Sequence, residues 1–488
     1  MIKHCIIDIE DEVNIKMSGL DLAARKACTN AVKYFIPGAR YSAAYKLGRW
    51  DGTKSFATLG GRTYLNLLDK MLPILQEHGY DFEINDQRLQ YEISLNEVDE
   101  NVHAHKVWPK GHERAGQPIV LRDYQVAVVN TFVENLQAVQ QVATGAGKTL
   151  ITATLSAMIE PYGRSIVIVP NKSLVEQTET DYRNLGLDVG VLYGDRKEYD
   201  RTHTICTWQS LNVLDKKSKD SLDDHQHAIF MHGLMGIIVD EAHMAKADVL
   251  TKLLTTNFCH IPIRWGLTGT IPEEEQDQIS LLASVGPNVG DLFAHELQER
   301  GVLAQCHVNV LQTRETVKYN NYQEELKFLT TDTDRIKWMA KMISAIAESG
   351  NTLILCDRLE TGKALEAIIK DSVFVSGAVK TKDRKAEYDN IAISDGQVLI
   401  ATYGVAAVGI NVPRLFNLVL IEPGKSFVRV IQSIGRGLRK ADDKDFVQIW
   451  DMTSTCKFSA KHLTKRKQFY TQAKYPFTIE KIDRTLAD

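Results

Sequence analysis

The chain lacks paired cysteines, long apolar runs, internal repeats and low-complexity segments. Its seven cysteines are scattered among 488 residues, with no Cys-x-x-Cys pair. This scatter fits reduced thiols and argues against both a disulfide framework and a structural zinc site. The longest apolar runs, such as 165–169 and 236–239, are too short to cross a bilayer. The first residues run into acidic side chains, so we expect a cytoplasmic protein with no signal peptide and no membrane segment.

An excess of positive charge is missing too. Lys and Arg total 58 against 62 Asp and Glu, so the net charge does not indicate nucleic-acid binding. Two local stretches are basic instead. Residues 33–70 contain seven basic and two acidic residues, and residues 457–475 contain six basic residues, no acid and interleaved aromatic side chains. Both stretches suit phosphate contacts, with solvated helix faces as the alternative.

The chain is long enough for about three domains, with ordinary hydrophobic (44%) and charged (25%) fractions. The polar segment 109–118, with proline at both ends, predicts a linker. Before it, short strand-like runs accompany a helix-like stretch at 65–78. After it, apolar strands alternate with amphipathic helices, which predicts parallel sheets covered on both faces. The predicted strands include 165–169, 204–207, 236–239, 352–356, 398–401 and 418–421.

We therefore predict an α/β fold with two tandem parallel-sheet lobes, preceded by a small α+β domain. The run 296–317 separates the two series of strands and is expected to hold the hinge. The predicted domains are an N-terminal recognition domain at 1–108, a first lobe at 119–297, a second lobe at 318–455 and a basic C-terminal tail at 456–488.

A phosphate-binding loop is predicted between a strand and a helix that starts near Lys148. A Gly-Lys-Thr triplet alone occurs by chance, and Val142 stands where the strict pattern has glycine, but the helix-forming stretch 150–155 supports the assignment. Glycine lets backbone N–H groups approach phosphates without an intervening Cβ. Lys148 would place its charge at the β- and γ-phosphates, and the Thr149 hydroxyl would bind Mg²⁺. The residues expected to bind the nucleotide here are Thr144, Gly145, Ala146, Gly147, Lys148 and Thr149.

Two adjacent carboxylates follow the apolar strand 236–239. Asp240 would hold Mg²⁺ through water, and Glu241 would orient and deprotonate the attacking water. A turn with two solvated acids fits less well, because the carboxyl end of a parallel strand faces the ligand crevice of the sheet. His243 is then placed to couple this site to the segment formed by Thr268, Gly269 and Thr270.

A further polar group lies near the end of the second series of strands. Gln432, Arg436 and Arg439 share one face if their segment is helical. Glycines at 435 and 437 weaken a helix by about 1 kcal/mol each, which suggests a close approach of another segment. Arginine fingers neutralise charge on the γ-phosphate and contribute ~10³ to 10⁵ in rate, and closure of two lobes around the nucleotide would turn hydrolysis into movement. Surface arginines on a basic helix are the alternative.

Taken in order, these blocks resemble the motifs of the superfamily 2 helicases over about residues 119 to 455. In this resemblance, Gln125 would read the adenine base, with Arg122 or Tyr124 stacked near it. The matching blocks are 121–125, 142–149, 167–177, 207–210, 240–243, 268–270, 401–413 and 432–439. The resemblance implies two RecA-like lobes, ATP with Mg²⁺, and hydrolysis coupled to DNA unwinding. It adds Gly409 as a nucleotide-binding residue, and the nucleic-acid contacts Pro170, Trp208 and Thr402.

Within this superfamily, Gly48-Arg49-Trp50-Asp51-Gly52 resembles a Gly-x-Trp-Asp-Gly element of the UvsW-type phage recombination helicases. That resemblance implies fork regression and Holliday-junction branch migration in phage recombination, repair and replication. It also implies unwinding of some RNA–DNA hybrids, a setting in the host cytoplasm and recombination proteins as partners. In this resemblance, Arg49 and Trp50 would contact DNA. For Trp50, an equal alternative is a structural role as a core aromatic residue of the leading domain.

Two other functions stay open. The Asp-Glu-Ala-His block also marks a group of RNA helicases, so the substrate could be RNA or an RNA–DNA hybrid. The chain could instead bind junctions and use its ATPase only as a switch for release. We favour a DNA motor because of the Arg-Asp-Tyr-Gln form of block 121–125 and the lack of a large accessory domain after the second lobe. No coiled-coil heptads are visible, so we expect a monomer.

Overall fold

The structure is a computed structural model. It describes residues 3–36, 38–110, 114–218, 224–246, 248–377, 391, 395–406, 412, 414–441 and 443–484. The chain divides into two compact units, the first formed by residues 1–141 and 149–291, and the second by residues 142–148 and 292–488. In the described residues, no helix combines the length and the apolar character that crossing a membrane requires.

The N-terminal part of the first unit folds around a sheet of its own. Its elements are β1 (Lys3–Ile9), β2 (Asn14–Ser18), α1 (Leu22–Ala31), β3 (Lys33–Phe35), α2 (Ala43–Lys46), β4 (Thr53–Ser55), β5 (Arg62–Tyr64), α3 (Leu68–Glu77) and β6 (Tyr80–Asp86). The sheet order is β5-β2-β1-β6, with β6 parallel to β1. Alternate residues of β1, Cys5 and Ile7, are fully buried, as the two-residue period of a one-sided sheet requires. They share an apolar cluster with Met71 and Leu75 of α3, which confirms the predicted helix in this region.

The rest of the first unit is an α/β lobe. Its strands are β7 (Gln137–Val142), β8 (Arg164–Val169), β9 (Val189–Tyr193), β10 (Arg196–Lys197), β11 (His203–Thr207), β12 (Leu234–Asp240), β13 (Ile263–Thr268) and β14 (Asn288–Leu292). Its α-helices are α4 (Asp123–Val133), α5 (Lys148–Ile159), α6 (Lys172–Asn184), α7 (Trp208–Ser218), α8 (Asp224–Met231), α9 (Asp248–Lys252) and α10 (Glu275–Ser284). The next helix, α11 (Ala294–Glu299), belongs to the second unit. The sheet order is β10-β9-β11-β8-β12-β13-β7-β14. The strands from β9 to β7 in this order are parallel, so their carboxyl ends meet at one edge.

The N-terminal domain packs firmly on this lobe. The Glu12 N–H donates to the Cys259 carbonyl oxygen at 3.0 Å, and the Gln137 amide donates to the Glu12 carbonyl oxygen at 2.8 Å. Ile279 and Ala283 of α10 belong to the apolar cluster of the N-terminal domain. Hydrogen bonds and a shared apolar cluster therefore join the two parts of the first unit.

The second unit contains the other sheet. Its strands are β15 (Gln305–Thr313), β16 (Thr352–Cys356), β17 (Ser372–Val375), β18 (Val398–Thr402), β19 (Asn417–Ile421), β20 (Phe446–Ser454) and β21 (Phe477–Ile482). Its α-helices are α12 (Tyr322–Thr331), α13 (Thr333–Ala347), α14 (Leu359–Glu366), α15 (Tyr403–Ala406), α16 (Phe427–Gly437) and α17 (Lys457–Gln472). The order is β17-β18-β16-β19-β20-β15-β21, and neighbouring strands are parallel.

Two boundaries differ from those predicted. The run 296–317, expected to hold the hinge, contains β15, which is hydrogen-bonded on both sides within the second sheet. The expected basic tail is part of the lobe as well, since β21 pairs with β15 and α17 buries Arg466 completely. The local charge pattern could not predict the burial of Arg466, because its acidic partner, Asp451, comes from the strand β20.

Candidate functional site

The phosphate loop leaves the carboxyl end of β7 and leads into α5, which begins at Lys148 as predicted. Gly145 and Gly147 have φ of 89° and 83°, in the left-handed region that favours glycine. A Cβ on Gly145 would also lie 2.7 Å from Cδ2 of Leu303. The Lys148 ammonium is held near the loop, where it donates to the Val142 carbonyl oxygen at 3.4 Å. Positive-φ glycines, a lysine and a helix N-terminus together fit an anionic phosphate.

The predicted adenine block forms the first turn of α4. The Arg122 N–H donates to Gln125 Oε1 at 2.9 Å, and Gln125 is only 4% exposed. The Arg122 guanidinium donates to the Tyr124 hydroxyl, again at 2.9 Å. The block is therefore a fixed turn in which Arg122 and Gln125 are joined by a hydrogen bond.

The two predicted catalytic carboxylates lie at the carboxyl end of β12. Asp240 is the last residue of the strand, and its Oδ1 accepts from the Glu241 N–H at 2.9 Å. Glu241 has a φ of 53°, an unusual conformation for a residue with a side chain. Left-handed backbone costs a non-glycine residue ~1–2 kcal/mol and is common where function requires a fixed side chain.

His243 connects this acidic segment to β13. Its Nδ1 lies 2.9 Å from Thr268 Oγ1 and 3.4 Å from Glu241 Oε2. The Thr268 hydroxyl donates in turn to the Thr270 carbonyl oxygen at 2.9 Å. All three residues of the chain His243, Thr268 and Thr270 are buried. The structure therefore places His243 between the acidic segment and the predicted coupling residues.

Oxygen donors suited to Mg²⁺ come from Thr149, the second residue of α5, and from Asp240. Asp240 ends β12 and Thr149 follows the loop after β7, and these two parallel strands have their carboxyl ends at the same edge of the sheet. Among the described residues, ligand atoms of Asp11, Cys259 and His260 also lie within 4.8 Å of one another. Burial raises the pKa of the Cys259 thiol to about 12, and its Sγ donates to the Thr256 carbonyl oxygen at 2.8 Å.

The predicted arginine segment is helical only in part. Gln432 and Arg436 lie on α16, whereas Arg439 follows the C-cap residue Leu438. A Cβ on Gly435 would lie 3.0 Å from Cβ of Thr144, so another segment approaches this glycine as expected. Arg439 therefore does not share a helical face with the other two residues, because the helix ends before it.

A cleft of about 500 Å³ opens beside the carboxyl ends of β8, β9 and β11. Two cations lie close to the Tyr193 ring, with Lys172 Nζ 5.2 Å and Arg196 Cζ 5.9 Å from its centroid. The lining includes Pro170, Asn171, Lys172, Tyr193, Arg196 and Gln209. Cationic, aromatic and amide groups thus face one cleft, a combination suited to nucleic acid.

The chain is similar to known DNA helicases. Residues 118–273 match the family described as "Type III restriction enzyme, res subunit". The ATP-dependent DNA helicase uvsW of Enterobacteria phage T4 is 26% identical over 475 residues, 92% of this chain and 90% of that protein. The DNA 3'-5' helicase XPB of Mycobacterium tuberculosis is 25% identical, over 75% of this chain and 66% of that protein. The DNA-bound Type ISP restriction-modification enzyme LlaBIII has the same fold over 86% of this chain and 36% of its own, at 14% identity and a TM-score of 0.58.

The match to uvsW extends beyond the lobes, over nearly the whole chain. These similarities indicate a UvsW-like superfamily 2 helicase. Its two sheets resemble the RecA-like lobes of helicases, and the similarities support an ATP-dependent helicase activity.

One predicted nucleic-acid contact of the helicase faces elsewhere. The Trp208 ring packs against the buried apolar cluster of the first lobe, and its Nε1 is buried without a hydrogen-bond partner among the described residues. The next residue, Gln209, lines the cleft instead. Tyr193 and Arg196 were not predicted as site residues. The Gly-Asp pair at 194–195, between two strand-like runs, is nevertheless a signal for a hairpin turn.

In the second lobe of the helicase, Thr402 ends β18 and accepts from the Val405 N–H at 3.4 Å. Arg429 was not predicted as a site residue. Its guanidinium lies 5.2 Å from the centroid of the Tyr403 ring and 3.2 Å from Asp357 Oδ1. Gly409, predicted to bind nucleotide, lies outside the described residues.

The Gly-x-Trp-Asp-Gly element closes a turn between β3 and β4. The Trp50 indole donates to the Thr53 carbonyl oxygen at 2.8 Å, and Asp51 pairs with Lys33 at 2.6 Å. A Cβ on Gly52 would lie 2.5 Å from the Phe35 ring. Trp50 therefore has a structural role in this turn, while Arg49 is exposed.

Proposed function

We propose that this helicase hydrolyses ATP with Mg²⁺ to remodel branched DNA by fork regression and Holliday-junction branch migration. The observation that carries the proposal is an exposed basic and aromatic segment, residues 38–54, on a domain packed against the first lobe. Similarity to the DNA helicases uvsW and XPB favours DNA over RNA.

The segment has the chemistry of a nucleic-acid surface. Arg40, Lys46, Arg49 and Lys54 are exposed, and Tyr41 exposes 83% of its surface. Basic side chains neutralise phosphates, and an exposed aromatic ring can stack on an unpaired base. A branch point offers both features together, a bent phosphate backbone and bases that have lost a partner.

The attachment of this domain supports a role in positioning the branch. Glu12, Gln137 and Cys259 form hydrogen bonds between the domain and the first lobe, and α10 contributes to its core. A DNA branch point bound by residues 38–54 would thus be held at a set distance from the first lobe, which carries β7 and the strand β12 that ends at Asp240. Movement of the motor along DNA would then pull or push the strands past the junction.

Three residues of the helicase motifs carry out hydrolysis in this proposal. Lys148 holds the β- and γ-phosphates, Glu241 takes the proton of the attacking water, and Arg436 neutralises charge on the γ-phosphate. Thr149 and Asp240 would hold Mg²⁺, which supplies positive charge to the phosphate oxygens when bound.

The DNA track of the first lobe is the cleft beside Tyr193. Pro170 and Gln209 line it, in agreement with two of the blocks expected to touch nucleic acid. Lys172 and Arg196 also line the cleft, where Lys172 lies 3.8 Å from Glu176 and Arg196 pairs with Glu179 at 2.7 Å and Glu198 at 2.8 Å, so DNA phosphates would compete with these carboxylates for the two cations. Thr402 provides the matching contact in the second lobe.

The first test is steady-state ATP hydrolysis with no nucleic acid, single-stranded DNA, linear duplex, a four-way junction and structured RNA, at equal nucleotide concentration and fixed salt. Strongest stimulation by the junction supports the proposal, and branch migration of the same junction should follow. Stimulation by RNA alone would reassign the substrate. Junction-stimulated hydrolysis without strand movement would indicate a release switch.

Surface substitutions test the recognition domain more cleanly than its deletion, because deletion would uncover the apolar residues Ile279 and Ala283. Arg40→Ala and Tyr41→Ala should lower junction stimulation while hydrolysis with single-stranded DNA stays unchanged. Lys26→Ala, an exposed lysine on α1, is the charge-matched control. Unchanged junction preference in both variants would move recognition to another surface.

A further inference from the structure

A buried lysine lies at the C-terminal end of the helix that carries Arg436. Lys444 is 3% exposed, and its ammonium donates to the carbonyl oxygens of Gly437 at 2.5 Å and Arg439 at 2.7 Å. The intervening carbonyl oxygen, that of Leu438, accepts from the Ala304 N–H at 2.7 Å. Three successive carbonyl groups at the end of α16 are therefore bonded, two of them by one side chain.

A tight turn delivers this lysine. Ala441 and Lys444 exchange backbone hydrogen bonds of 3.2 and 3.0 Å, and β20 begins two residues later. The neighbouring Asp443 carboxylate pairs with Arg414 at 2.7 Å. The turn thus directs Lys444 toward the helix end.

Burying the Lys444 ammonium costs free energy, and its contacts with the helix end offset part of that cost. Burial, followed by the nearby charge of Arg439, lowers the pKa of Lys444 to about 7. A buried ammonium is costly, so a residue of this kind needs strong partners. The negative end of a helix dipole and two hydrogen bonds to carbonyl oxygens offset part of that cost.

The helix end also needs support. Gly435 and Gly437 flank Arg436, and glycine favours helix less than any other residue except proline. Without an anchor, the last turn of α16 would fray and Arg436 would sample several positions. Fixing the carbonyl groups on the C-terminal side of Arg436 restrains that turn.

We propose that Lys444 is a positioning residue for ATP hydrolysis, which holds the last turn of α16 so that Arg436 points at the γ-phosphate. This inference rests on the role proposed above for Arg436. Lys444 touches no reacting group in this proposal and acts only through the helix end.

The test replaces Lys444 by methionine, which keeps the chain length and removes the donors. We expect kcat to fall roughly 10- to 100-fold, the size of effect that a misplaced catalytic group produces, with KM for ATP changed by less than about twofold. Lys440→Met, an exposed lysine in the same turn region, is the matched control and should match the wild type. If Lys444→Met does not fold, Lys444→Gln takes its place. Glutamine keeps an N–H donor, so kcat should fall below that of the wild type by less than the roughly 10- to 100-fold expected for methionine.

A double-mutant cycle separates positioning from general damage. In an Arg436→Ala background, Lys444→Met should lower kcat much less than it does in the wild type, because both changes remove the same interaction. Independent, multiplicative losses, or an unchanged kcat in both Lys444 variants, would overturn the inference. If Arg436→Ala alone leaves kcat unchanged, the proposed arginine finger fails instead, so the two failures are distinguishable.

Discussion

Replacing Arg466 by methionine would remove a cation from the interior of the second lobe. The guanidinium of Arg466 is fully buried and binds Asp451 through two hydrogen bonds, Nε to Oδ2 at 2.8 Å and Nη2 to Oδ1 at 3.0 Å. Its Nη1 donates to the Gly424 carbonyl oxygen at 2.8 Å, and the Tyr470 hydroxyl donates to Asp451 Oδ2 at 2.8 Å. This network joins α17 to β20 and to the segment before α16.

The expected loss is large because the substitution leaves the fully buried Asp451 carboxylate without its cation. Removing one partner of a buried ion pair costs ~3–5 kcal/mol. In a unit of this size each kcal/mol shifts the thermal midpoint by ~2–4 °C, so Arg466→Met should lower it by roughly 10 °C. Adding Asp451→Asn should restore part of the loss, since it removes the uncompensated charge.

Thermal unfolding followed by circular dichroism, with and without ATP, measures this effect. The controls are Lys465→Met and Lys467→Met, which remove exposed charges on either side of Arg466. We expect both controls within roughly 1 °C of the wild type. Equal midpoints for all three variants, with DNA affinity reduced in Arg466→Met, would refute a structural Arg466 and restore the basic-tail interpretation.

Two further predictions concern the ATP site, and a third concerns the stability of the second lobe. Glu241→Gln should lower kcat by ~10²- to 10⁴-fold while ATP and DNA still bind, and a normal kcat would exclude Glu241 as the base. His243→Ala should raise the ATP consumed per base pair unwound, measured by parallel hydrolysis and unwinding assays; an unchanged ratio would refute coupling. Folding lowers the pKa of Lys444 from 10.5 to about 7, so folding releases a proton between these pH values. The wild type should therefore gain stability relative to Lys444→Met as pH rises from 7 to 10, by at most about 1.4 kcal/mol per unit, and a pH-independent difference would contradict the burial of the ammonium.

Much of the fold was predictable because its strands are buried on both faces. Such strands appear as short continuous apolar runs, and the predicted strand 352–356 has the observed bounds. The start of α5 at Lys148 was predictable for a related reason, since a glycine-rich loop before an apolar helix marks that boundary. The direction of the Trp208 ring was not, because an aromatic residue at a helix start can face the core or the cleft with the same sequence pattern.

The residues missed in the sequence depend on partners far along the chain. Arg196 faces Tyr193 only because the chain forms a hairpin at 194–195. Its proposed contact with DNA depends on a cleft that Pro170 and Gln209 also line. No local pattern contains that assembly.

The phosphate loop, the acidic end of β12 and the series of parallel strands could be predicted from the sequence, because each depends on residues adjacent in the chain. Tertiary structure alone decided that Arg466 is buried, that Lys444 lies beneath the end of α16 and that the Trp50 indole is bonded within its turn. The physical reason is that charge and aromatic character are local properties. Burial and hydrogen-bond partners are set by segments that meet only in the folded chain.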